Sequence, residues 1–83
     1  MAATLVGEIK SILADREVGW VTVDGEDFWF HRHLVGPVDA MGRRVRCRDG
    51  LLWEDLRKGL RVKVQEVDPS PHGRRCRVLG RAE

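Results

Sequence analysis

The chain has 83 residues, 42% of them hydrophobic and 34% charged, with 15 Lys+Arg against 13 Asp+Glu for a net charge of +2. That length allows one small domain spanning residues 1–83, burying about 60–65% of the surface it exposes when unfolded. Apolar runs such as Ile12–Ala14 and Phe28–Phe30 are only three residues long, which excludes a membrane-spanning helix, and Gly7, Glu8 and Lys10 break any signal-peptide pattern, so a soluble cytoplasmic protein is expected.

The modest total charge hides an asymmetry. Residues 1–30 carry a net charge of −4 and residues 31–83 one of +6. Arginine supplies much of the excess, as RRVRCR at 43–48 and RRCR at 74–77. Gathered on one side of a fold, these groups would attract phosphate; spread along strands, they would only keep outer faces wet.

In chain order, residues 4–13 form a first strand in which Gly7 permits a bend or close packing. Residues 18–23 alternate as a second strand, and Asp24-Gly25 is a strong tight-turn signal. The following DFWFH, residues 27–31, completes a hairpin. Period-two alternation puts Trp20, Thr22, Trp29 and His31 on one face, opposite a core of Val21, Val23, Phe28 and Phe30.

Residues 33–50 read as an enlarged loop or an extra hairpin, with breakers at Gly36-Pro37 and Met41-Gly42 and alternation over 44–48. Residues 53–58 suit one helical turn before Gly59. Residues 61–64 give a fourth strand, 68–73 a Pro/Gly loop, and 75–79 a fifth strand. Five short strands without a long helix predict an all-β, small closed barrel with a long elaborated connection between strands three and four. Cys47 and Cys76 each alternate with arginine, which predicts inward-facing reduced thiols rather than a disulfide or reactive groups.

Two adjacent outward tryptophans need a reason. A stacking platform supplies one, since flat rings hold unpaired bases at about 1–3 kcal/mol each while cations track the backbone. The competing explanation is that the rings cover one another or lie beneath the long connection. Other chemistries are weaker. His31 and His33 at i, i+2 lack a metal-ligand pattern, no serine sits in a nucleophile context, and no Gly-rich phosphate loop occurs. No enzyme, metal or cofactor is expected.

Four segments resemble the cold-shock domain: GEIK at 7–10, REVGWV at 16–21, DFWFH at 27–31 and LWEDLRKGLRVKV at 52–64. The resemblance implies a five-stranded antiparallel OB-fold barrel that binds single-stranded RNA or DNA as a chaperone or regulator of transcription or translation. It places stacking on Trp20, Trp29, His31 and Trp53, with Lys10 as the first-strand basic residue. Lys63, Arg44 and Arg46 join them as expected phosphate contacts. The chain departs from the family at Ser11-Ile12-Leu13, at Glu17-Val18 and at Arg32, where rings or glycine are usual, and its connection at 33–50, outside the resemblance, is longer than the family's usual one. The expected partner is single-stranded nucleic acid, bound by a monomer, with a dimer left open and no membrane. A barrel retained only for protein interaction is the alternative.

Overall fold

The computed structural model describes residues 3–82. Five strands, β1 (Thr4–Leu13), β2 (Val18–Val23), β3 (Glu26–His31), β4 (Arg61–Ser70) and β5 (Gly73–Arg81), close into a barrel in the order β1-β2-β3-β5-β4. The result is an all-β, OB-fold-like small barrel. No helix among the described residues is long and apolar enough to cross a membrane.

The alternation of the sequence becomes the inside and outside of the barrel. Val21, Phe28, Phe30, Val62, Val64 and Val78 are almost completely buried, and no polar or charged residue among those described joins them. Asp24 and Gly25 both take positive φ, 50° and 81°, which matches the strand twist of a two-residue hairpin. Gly7 packs so closely that an added Cβ would lie 2.5 Å from a Val21 methyl. Both thiols point inward as expected; burial raises the Cys47 pKa and pushes Cys76 up to about 12.

Two expectations are corrected. The barrel is not purely antiparallel, because β3 and β5 run parallel through Trp29 and Arg75. Directions cannot alternate all the way around a closed ring with an odd number of strands, so one neighbouring pair must be parallel. The 68–73 loop is also shorter than expected. Strand β4 continues to Ser70, which pairs with Gly73, and a register shift between Val67 and Ser70 accommodates Pro69. A bulge spares proline the ladder hydrogen bond that it cannot donate.

The long connection is an enlarged loop that closes one short hairpin: Val45 N–H donates to the Pro37 carbonyl and Asp39 N–H to that of Arg43, both at 2.8 Å, and the ladder ends there. Cys47 then turns into the core, followed by Leu51 and Leu56. Asp49 anchors this turn, accepting hydrogen bonds from Leu51 N–H at 3.0 Å and from Arg81 N–H at 2.7 Å. A single 3-10 turn at Trp53–Asp55 replaces the expected helical turn. The connection therefore plugs one end of the barrel.

Candidate nucleic-acid interface

Strands β2 and β3 bring Trp20 and Trp29 directly opposite each other, with Val18 opposite His31. All three rings are half-buried on the outer face. From the connection, Cys47, Leu51 and Leu56 go into the core rather than onto this pair.

Trp29 is held from three sides. Its indole N–H donates to Ser70 Oγ at 3.2 Å, and the same oxygen accepts from His72 N–H at 3.1 Å. The His72 ring meets the indole edge-on at 6.3 Å between ring centres. The Arg75 guanidinium lies over the indole, 5.9 Å from its centre, while donating to the Asp68 carbonyl. Arg75 thus adds a cation whose charge no carboxylate among the described residues neutralises.

Lys10 reaches the platform through a bulge. Ile9 pairs with Val21 and Ser11 with Trp20, so Lys10 is the extra residue. As a result Lys10 and Ser11 both line a shallow depression with Trp20 and Asp27. Lys10 Nζ is 2.7 Å from Asp27 Oδ2, and the Thr22 hydroxyl donates to Asp27 Oδ1 at 2.9 Å. The hydrogen bonds from Lys10 and then Thr22 hold the Asp27 carboxyl below its ordinary pKa. Lys10 is therefore beside the ring but shared with a carboxylate.

His31 closes the platform. Its ring stacks on His33 at 4.7 Å and 20°, and its Nδ1 accepts from His33 N–H. Arg32, exposed beyond it, bridges Glu17 and Glu54 at 3.1 Å each. The Glu17 carboxylate is thus paired with Arg32.

The remaining expected residues separate into two places. Trp53 sits edge-on to Phe30 at 6.1 Å and lines a groove of about 650 Å³ with Arg44 and Arg46. Lys63 belongs to neither cluster: it pairs with Val6, across β1 from β2 and several residues along from Ser11. No group of three or more His, Cys, Asp or Glu that could hold a metal occurs among the described residues.

Ser70, His72 and Arg75 were not among the expected binding residues. Alternation around Cys76 already points Arg75 outward, but its place over Trp29 depends on the parallel β3–β5 pairing, for which the sequence carries no local signal. Comparison with protein-family models, curated proteins and solved structures gives no match.

Proposed function

We propose that this chain is a divergent cold-shock-like domain that binds single-stranded RNA or DNA with little sequence preference. The observation that carries the reading is the cross-strand Trp20–Trp29 pair, half-exposed and flanked by Lys10 and Arg75. Rings arranged this way offer π-faces to successive bases, and every base has one. The neighbouring cations meet the phosphates between them. Bases held on the rings are unavailable for pairing, so the protein would act as a nucleic-acid chaperone or regulator that keeps strands open.

Titrating tryptophan fluorescence with oligouridine and oligothymidine at two salt concentrations tests this. Quenching is expected, weakening as salt rises, and Trp29→Ala should lower affinity by about 5- to 150-fold, the loss of one stacked base. No quenching at low salt and high micromolar oligonucleotide would overturn the proposal. That outcome would favour the protein-interaction reading, which the 77% exposure of Met41 and 44% exposure of Val38 on the connection support.

A further inference from the structure

The long connection does more than plug the barrel. Residues 44–47 form one wall of the groove and residues 51–54 another, with Arg32 and Val35 completing its lining. At about 650 Å³ the groove is within the range of small-ligand sites. Its surface is mixed. Val45 and Leu52 keep 42% and 40% of their surface exposed, and Trp53 is half-buried beside them.

The charge of the lining is unbalanced. Arg46 has no ion-pair partner among the described residues, and Arg44 donates only to the Arg32 carbonyl, at 3.2 Å. The one carboxylate in the lining, Glu54, is already engaged by Arg32. Nearby Arg77 donates to the Gly36 carbonyl, and its pKa is lowered by burial and by repulsion from Arg44. Apolar walls beside uncompensated guanidinium groups suit a ligand with a flat apolar body and an anionic end.

The groove adjoins the His31 end of the platform along the chain. Arg32 follows His31 directly and supplies both a groove wall and the carbonyl that holds Arg44.

We propose that the connection builds a second subsite, taking one phosphorylated nucleotide with its base against Val45, Leu52 and Trp53 and its phosphate on Arg44 and Arg46. The inference rests on the single-strand-binding reading and extends it past His31. It uses 44–48, a stretch that the cold-shock resemblance does not cover. The nucleotide is the next unit of a strand already on the rings, and free uridine monophosphate carries the same chemistry.

A ladder of oligouridines from dimer to nonamer, with uridine monophosphate as a separate arm, tests the subsite by fluorescence and by the NMR shift of the Trp53 indole N–H. The Arg44→Ala/Arg46→Ala variant should bind the nonamer about tenfold or more weakly. Its dependence of log affinity on log salt should fall by about 0.7, for the one phosphate that both guanidinium groups meet on a single strand. Dimer binding should be unchanged. Arg46→Glu, altering one exposed side chain, should weaken the nonamer further than Arg46→Ala. An Arg57→Ala/Lys58→Ala control, in the turn before β4, should leave these values unchanged. A Trp53 shift with mononucleotide that vanishes in the double variant assigns the site to free nucleotide as well; a shift only with longer oligomers assigns it to the strand. If the double variant and Arg46→Glu match the wild type while Trp29→Ala weakens binding, the subsite is overturned and the platform stands. If the wild type binds no oligomer and no mononucleotide, both fall.

Discussion

Asp27 shows how one carboxylate tempers the interface. It sits beside Trp20 and engages Lys10, the cation that a bound phosphate would need. Asp27→Asn is therefore expected to strengthen oligonucleotide binding and to steepen its salt dependence by about 0.7, one further phosphate contact. Unchanged affinity and slope would show that Lys10 does not reach the strand. The same residue contributes to acid sensitivity. Its pKa is lower in the fold than in the unfolded chain, so its stabilisation is complete above the unfolded value and is lost as pH falls through the folded one. Melting temperature should drop from about pH 4 downward, and more gently in Asp27→Asn. Asp49 and Glu66 move in the same direction. At Asp49 burial raises the pKa, but hydrogen bonds from the Arg81 and Leu51 N–H groups outweigh it; at Glu66 the main cause is Arg74.

The connection depends on how closely it approaches the barrel. Gly36 has φ 119°, and a Cβ there would fall 2.2 Å from the Val45 carbonyl oxygen. Gly36 N–H also donates to the Val78 carbonyl at 2.7 Å, tying the segment to β5. Gly36→Ala combines backbone strain with a steric clash and should cost about 1–3 kcal/mol in urea unfolding. Its groove wall should shift as well, moving the NMR signals of residues 44–46 while those of Val62 and Val64 stay in place. A neutral substitution would mean that the connection is not braced there. The strands themselves were legible: β1 spans the residues that alternation marks, and the hairpin follows Asp24-Gly25. The connection was less so, because Cys47, Leu51 and Leu56 are buried without a regular period to announce it.

Barrel closure is uneven around the ring. The β3–β5 ladder consists of the Trp29–Arg75 pair, with the Val35–Val78 bridge beside it, whereas β4 and β5 pair from Val62–Arg81 to Ser70–Gly73. Native-state hydrogen exchange should therefore show the seam opening first. The Gly36 amide should exchange well before those of Val62, Val64 and Val21. Uniform protection would show that the barrel opens only as a unit. The platform spans this seam, since Trp29 is on β3 while Arg75 and Ser70 approach it from the β4–β5 hairpin. Bound nucleic acid contacting both sides should slow exchange at the seam.

The long-range charge distribution also changes meaning in the fold. Half of the six N-terminal acids are neutralised by ion pairs: Glu17 pairs with Arg32, Glu26 with Arg74, and Asp27 with Lys10. Two of those three pairs consume arginines from the basic part of the chain. Arg44, Arg75 and Arg77, which donate only to backbone carbonyls, keep their charge near the aromatic platform and the groove.

Alternation and turn chemistry are local, so they suffice to mark the strands, the core valines and phenylalanines, the inward cysteines and the outward Trp20, Trp29 and His31. Pairing between distant segments is not local. The parallel β3–β5 seam, Arg75 over Trp29, Asp27 on Lys10 and the groove beside Trp53 arise only when the barrel closes. Closure brings residues dozens of positions apart into contact, and no periodicity along the chain encodes which of them will meet.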